Sequence, residues 1–296
     1  MIKEVLEPFT YTCSNPGKNI RSIIIHAFQQ SLQIPNEALD TIIQVIDMLH
    51  NSSLMIDDIQ DSSTIRRGQP AAHLIYGVAQ TINSANLVYF LALEKLVKLN
   101  NTELIKVFSD ELVNLHKGQG YELYWRDNHK CPTQAEYIEM INHKTGGLFR
   151  LAIRLMQTYS TQNIDYVPLA NLIGIHFQIR DDYINLISTK FQETKGFAED
   201  LTEGKFSFPV VHHLQNTETP NQLLSILKQR TTNLDLKKHA IKLMETSKSF
   251  EFTREFLVEK EKEIYIEIEN LGGLDILTQL FDKLQIANIE GQSAAV

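Results

Sequence analysis

The sequence predicts an all-α fold, and three observations carry that expectation. Leu, Ile, Glu, Lys and Gln recur at helical intervals along most of the chain. Gly 13 and Pro 8 in 296 residues are few for an all-β protein. The periodic segments are long and are separated by short polar breaks at Asn100-Asn101, Asn128 to Pro132 and Ser160 to Asn163. With 43% hydrophobic residues and no visible linker, residues 1–296 are expected to form one domain with a substantial core.

The elements follow in order. A first helix is expected from about Pro16-Gly17 through Ser31. A long helix then starts near Asn36, a plausible N-cap, and runs to Asp57. Ile42, Ile43, Val45, Ile46, Met48, Leu49, Leu54, Met55 and Ile56 make that helix apolar nearly all round, as in a buried helix. Ser62 to Pro70 has loop character. Helical periodicity resumes over Val78 to Leu99, Thr102 to Trp125 and Gln134 to Thr158, and Leu169 to Ile179 forms a second apolar run. Ser188 to Leu201 reads as a mobile loop and Phe206 to Leu214 as an apolar stretch. Asn221 to Ala287 reads as surface-facing helices, and Gly291 to Val296 as a frayed tail.

Composition excludes several functions. A formal net charge of -8 argues against a nucleic-acid partner, because such binding rests on basic residues neutralising phosphates. No stretch approaches membrane-spanning length, and Met1 to Pro8 resembles neither a signal nor a transit peptide, so a cytoplasmic protein is expected. Cys13 and Cys131 are too few for a disulfide framework or a zinc site, and the 10 histidines form no HExxH motif.

The chemistry lies in two acidic clusters, Asp57-Asp58-Ile59-Gln60-Asp61 and Asp181-Asp182-Tyr183-Ile184-Asn185, each following an apolar helical run. Carboxylates so close repel one another and gain from divalent cations. On a helix, Asp57 and Asp61 share a face, as do Asp181 and Asn185. Each cluster therefore forms a ladder of hard oxygen ligands suited to magnesium, which takes one or two protein carboxylates and completes its shell with water and phosphate. Two ladders facing each other would hold several ions around one diphosphate.

Such a cradle needs cations, and Lys18 and Arg21 lie one turn apart while Arg66-Arg67 directly follow the first cluster. Lys144-Thr145-Gly146-Gly147 is expected within a helix, where each glycine costs roughly 1 kcal/mol relative to Ala, which points to close packing.

In order along the chain come Gly17-Lys18-Asn19-Ile20-Arg21, the first acidic cluster with Arg66-Arg67-Gly68, and Gly118-Gln119-Gly120. Lys144-Thr145-Gly146-Gly147, Phe177-Gln178-Ile179-Arg180-Asp181-Asp182 and Gly204-Lys205 follow. In this the whole chain resembles the short-chain trans-isoprenyl diphosphate synthases. It is most similar to the geranylgeranyl diphosphate synthases of animals and fungi, through Leu49 to Leu54, Tyr124 to Asp127, Glu199 to Ser207 and the asparagine at position 185.

The resemblance implies the isoprenoid synthase fold, a helical bundle around a central cavity. It also implies a magnesium-dependent condensation of isopentenyl diphosphate with an allylic diphosphate (dimethylallyl, geranyl or farnesyl), giving mainly geranylgeranyl diphosphate. Several magnesium ions per site would be held by Asp57, Asp58, Asp61, Asp181 and Asp182. Arg66, Lys144, Lys195 and Lys205 would grip the allylic diphosphate, and Thr145 and Gln178 would place neutral oxygens near the transient carbocation. Lys18, Arg21, His50 and Arg67 match the isopentenyl diphosphate site. A homodimer, or an assembly of dimers, is implied as well.

Product length is expected to depend on Ser52 and Ser53, about one turn (about 5.4 Å) before Asp57, which leave room where farnesyl synthases carry aromatics. Tyr89, Phe90 and His116 are candidates for the pocket floor by resemblance. Two other readings compete: a terpene synthase that ionises and cyclises a prenyl diphosphate, and a non-catalytic regulatory partner subunit. The intact set Lys18, Arg21, His50 and Arg67 speaks against the first, and the retained aspartates speak against the second.

Overall fold

The computed structural model describes residues 2–15, 17, 20–162, 164–187 and 197–288. The expected loop over Ser188 to Leu201 falls mostly, and the tail from Gly291 wholly, outside them.

The described chain is all-α, and its first unit opens with α1 (Ile2–Val5), α2 (Glu7–Ser14), α3 (Ile20–Leu32) and α4 (Asn36–Gln60). A two-stranded ribbon, β1 (Ile65–Arg66) and β2 (Gln69–Pro70), precedes α5 (Ala72–Tyr76), α6 (Val78–Val97) and α7 (Thr102–Asp127). Then come α8 (Gln134–Lys144), α9 (Gly146–Gln157), α10 (Val167–Ile187) and α11 (Glu199–Glu203). The last five are α12 (Phe208–Asn216), α13 (Asn221–Lys228), α14 (Leu234–Thr246), α15 (Ser249–Asn270) and α16 (Asp275–Leu284).

The fold divides into two compact units, Met1–Leu112 with Leu148–Val167, and Val113–Gly147 with Pro168–Val296. In the first, α4 packs along α6. Ala38, Leu39, Ile42, Val45, Ile46, Leu49, Ser52 and Met55 recur at helical spacing on the buried face of α4. The helix is not apolar all round: Asp40, Gln44 and Asp47 follow one another along an exposed stripe. Asn36 is the first helical residue rather than the cap, and Pro35 precedes it with no side-chain cap bond.

In the second unit, Trp125, Tyr137, Ile179, Tyr183, Phe208 and Leu257 belong to one buried cluster. Thr133 starts α8 through a reciprocal capping box with Glu136, the consequence of Thr-Gln-Ala-Glu. The expected Gln134 to Thr158 helix is broken: α8 ends at Lys144, Thr145 is its C-cap, and α9 begins at Gly146.

Glycine spacing explains where these helices meet. A β-carbon on Gly174 would lie 2.5 Å from the Gly146 Cα, and one on Gly118 would lie 2.5 Å from the Lys144 nitrogen. The two sites are therefore places of backbone-to-backbone approach, as the glycines at 146 and 147 suggested. No helix among the described residues is long and apolar enough to cross a membrane.

Candidate active site

The first acidic cluster lies at the end of α4. Asp57 and Asp58 are in its last turn, and Asp61 caps it, donating its N–H to Asp57 O at 2.8 Å. The expected 62–70 loop is in fact a hairpin, Ile65 pairing with Pro70 and Arg66 with Gln69. Its two-residue turn, Arg67 (φ 53) and Gly68 (φ 77), has the left-handed backbone that such tight hairpins require.

The hairpin turns Arg66 back onto the cluster. Its Nε donates to Asp58 Oδ1 at 2.8 Å, its Nη2 contacts the same oxygen, and that nitrogen lies 3.7 Å from Asp57 Oδ2. Asp58 is buried, and burial raises its carboxyl pKa against the opposing pull of Arg66. The nearby Tyr89 hydroxyl is pushed up to about 12 by burial and by the negative charge of Asp57.

The basic residues of this unit also converge. Arg21 Nη1 lies 3.0 Å from His50 Nε2. A guanidinium has only donors, so His50 Nε2 accepts and the ring proton resides on Nδ1. Burial, followed by the charges of Arg21, Arg67 and Arg66, holds the His50 pKa well below the usual histidine range, so the ring is neutral. Arg21 is itself pulled down to about 10 by burial, lies 5.4 Å from the Phe149 ring centroid, and keeps a buried Nε without a partner. That orphaned donor suits an anion. Arg67 Nη1 reaches Asn15 O at 2.7 Å and Asn51 Oδ1 at 3.5 Å. Lys18 lies outside the described residues.

The second cluster lies on α10. Asp182 is buried and both its oxygens accept: Oδ1 from Gln178 Nε2 at 2.9 Å, and Oδ2 from the Tyr137 hydroxyl and from the Phe208 N–H at 2.8 Å. Burial lifts its pKa to about 6 although three donors oppose the shift. Asp200 is raised well above the carboxylate range, first by burial and also by the charge of Asp182. Thr145 Oγ1 donates to Gln178 Oε1 at 2.5 Å, which fixes the amide, nitrogen toward Asp182 and oxygen toward Thr145. Asp181, by contrast, is exposed. Asn185 is buried and its Oδ1 accepts from the Asp200 N–H at 3.2 Å, so it ties α10 to the first turn of α11, just before Lys205.

Lys144 pairs with Glu122, and Lys205 donates to Glu203 at 3.1 Å. Lys195 lies outside the described residues. Among the chain-length candidates, Ser52 is fully buried with an unpartnered hydroxyl, and Ser53 donates to His50 O at 2.8 Å. Tyr89 is half-buried, whereas Phe90 is 70% exposed and His116 is exposed.

Tyr137, Glu122 and Asn15 were missed by sequence reasoning because each acts singly with no motif around it, whereas Asn51 lay inside the Leu49 to Leu54 stretch. Asp200 and Glu203 were within reach, inside the Glu199 to Ser207 stretch.

Among the described residues, no three His, Cys, Asp or Glu side chains gather into a group able to hold a metal ion unaided. The donor set still fits magnesium, which needs one or two protein carboxylates when phosphate and water complete its shell.

An all-α chain with two aspartate-rich helices, the first met by Arg66 and the second by Tyr137 and Gln178, has the make-up of a prenyltransferase. The polyprenyl synthetase family model matches residues 2–244. The chain is 54% identical over 282 residues to a geranylgeranyl pyrophosphate synthase of Mucor circinelloides f. lusitanicus, across 95% of this chain and 93% of that one. It is 49% identical over 288 residues to a geranylgeranyl pyrophosphate synthase of Hypoxylon pulicicidum, across 96% of this chain and 75% of the relative. It is also 50% identical over 282 residues to a protein named terpene synthase from Matsumurasca onukii, across 95% and 93% of the two chains. The chain belongs to the polyprenyl synthetase family, and is a prenyltransferase acting on isoprenoid diphosphates. Enzymes of this family are generally metal-dependent.

Proposed function

We propose that the chain condenses isopentenyl diphosphate head-to-tail with an allylic diphosphate, in the presence of magnesium, to give mainly geranylgeranyl diphosphate. The observation that carries this reading is its 54% identity to the Mucor geranylgeranyl pyrophosphate synthase over nearly the full length of both.

Asp57, Asp58, Asp61, Asp181 and Asp182 would hold the metal, with Asp58 oriented by Arg66 and Asp182 by Tyr137, Gln178 and Phe208. Bound magnesium supplies charge neutralisation for the departing diphosphate. Arg66, Lys144 and Lys205, with Lys195, bind the allylic diphosphate. Arg21, His50 and Arg67, with Lys18, bind isopentenyl diphosphate; the neutral His50 offers its Nδ1–H. Thr145 and Gln178 turn neutral oxygens to the allylic cation. The released diphosphate takes the proton lost in the final elimination, so no protein carboxylate has to act as the base.

A second reading, cyclisation of a prenyl diphosphate, is favoured by the relative from Matsumurasca onukii. The convergence of Arg21, His50 and Arg67 supports the condensation instead. Incubation with magnesium, isopentenyl diphosphate and each allylic primer, followed by product-length analysis, separates the two. A twenty-carbon diphosphate is expected; cyclic hydrocarbon formed without consumption of isopentenyl diphosphate would refute the reading.

The chain is proposed to act as a single catalytic domain and as a homodimer or an assembly of dimers. Val78, Ile82, Phe90 and Val97 support the latter, as large apolar side chains exposed along one face of α6. A cytoplasmic location is part of the same proposal.

A further inference from the structure

Arg67 occupies the first position of the hairpin turn, in a left-handed conformation that a β-carbon disfavours. What holds it there is α2 and the residues just after it. The Asn15 side-chain amide donates to Arg67 O at 2.6 Å, while Arg67 Nη1 donates to Asn15 O at 2.7 Å. One asparagine therefore grips both the main chain and the guanidinium of the same arginine. Gly17 completes the seat: a β-carbon there would lie 3.0 Å from Arg67 Nη2 and 3.3 Å from its Cζ, so the backbone lies flat against the guanidinium. At the other strand, the Tyr11 hydroxyl donates to Pro70 O at 2.8 Å.

We infer that Asn15 is a positioning residue for the isopentenyl diphosphate site, acting through Arg67, with Tyr11 bracing the hairpin that carries it. The inference rests on the assignment of Arg67 to isopentenyl diphosphate made above. The Asn15 amide fixes the main chain of the turn, and the Asn15 main-chain carbonyl holds one nitrogen of the guanidinium that the turn carries. Arg67 Nε and Nη2, which have no hydrogen-bond partner among the described residues, are the donors so aimed. Losing the Asn15 amide, while its main-chain carbonyl stays, loosens the left-handed turn that carries Arg67, which weakens recognition of the diphosphate it faces and leaves the allylic half of the reaction untouched.

Steady-state kinetics of the full chain with magnesium, farnesyl diphosphate and isopentenyl diphosphate tests this. Asn15→Ala is expected to raise KM for isopentenyl diphosphate at least fivefold, with kcat and the KM for farnesyl diphosphate within twofold. In an Arg67→Ala background it should add nothing, since the arginine it positions is gone. An unchanged KM, or an equal rise on top of Arg67→Ala, overturns the inference while the assignment of Arg67 stands. If Arg67→Ala itself leaves that KM unchanged, the assignment fails and the inference with it. Should Asn15→Ala not fold, Tyr11→Phe, which deletes only a hydroxyl, decides: about a twofold rise in the same KM supports the brace, and none overturns it.

Discussion

Phe208 donates its backbone N–H to Asp182 Oδ2 at 2.8 Å, so the second acidic cluster is tied to the first residue of helix α12. With Tyr137 and Gln178, this occupies both oxygens of a buried carboxylate beside an exposed one, Asp181. Adjacent aspartates should therefore fail differently. Asp181→Asn is expected to lower kcat by about 100-fold or more with little change in Tm. Asp182→Asn should also lower Tm by roughly 5 °C, from about 2 kcal/mol of lost charge-assisted hydrogen bonding. Equal melting temperatures for the two variants would contradict this division of labour.

Ser52 and Ser53 are neighbours with opposite expectations. Ser52 is fully buried and its hydroxyl has no partner, so Ser52→Ala removes a desolvated polar group and should leave stability equal or raised by about 1 kcal/mol, with the product unchanged. Ser53→Phe should shorten the product toward farnesyl length, read by chromatography of the dephosphorylated alcohols. An unaltered distribution would remove Ser53 from the account of chain length.

The contact between Gly174 and Gly146 leaves no room for a methyl group. Gly174→Ala would set its β-carbon 2.5 Å from the Gly146 Cα, and overpacking of this kind costs about 1–3 kcal/mol. Because Thr145 lies next to Gly146 and Gln178 one turn beyond Gly174, kcat should fall along with Tm. Gly120→Ala, where a β-carbon meets nothing within 4 Å, is the matched control and should cost neither.

His176, His212 and His213 all have pKa values lowered, first of all by burial. The unfolded chain then binds more protons than the folded one below the ordinary histidine pKa of about 6.5, so stability falls as the pH drops through that value. Each neutral histidine contributes up to about 1.4 kcal/mol per pH unit to the loss. His176→Gln should lessen the drop in Tm between about pH 7 and pH 5.5. An undiminished drop would show that His176 is not the source.

The helices were legible where apolar spacing was long and regular, as in α4, α6 and α7, and the order of charged motifs located both clusters. Three things were not legible. Thr145 ends one helix directly before another begins, and a one-residue break leaves periodicity intact, so Gln134 to Thr158 reads as one helix. The hairpin at 65–70 has strands of two residues, too short to alternate visibly. The short α2 escaped because its anchoring comes from Tyr11 and Asn15 reaching the hairpin, about 50 residues away in sequence. Which aspartate of each pair faces inward was likewise unreadable, because Asp57-Asp58 and Asp181-Asp182 are alike until their neighbours in space are known.

Lys144 rests against Glu122 and Lys205 against Glu203, so on the proposed reading both allylic-site lysines wait with their charge already answered. An arriving anion must displace a carboxylate to be held. A monophosphate or a stray inorganic phosphate, with less charge to offer, competes poorly with a glutamate, whereas a metal-laden diphosphate can trade places with it. On that reading the resting pairs would act as a threshold for entry, answering the two lysines until a ligand of sufficient charge density is presented.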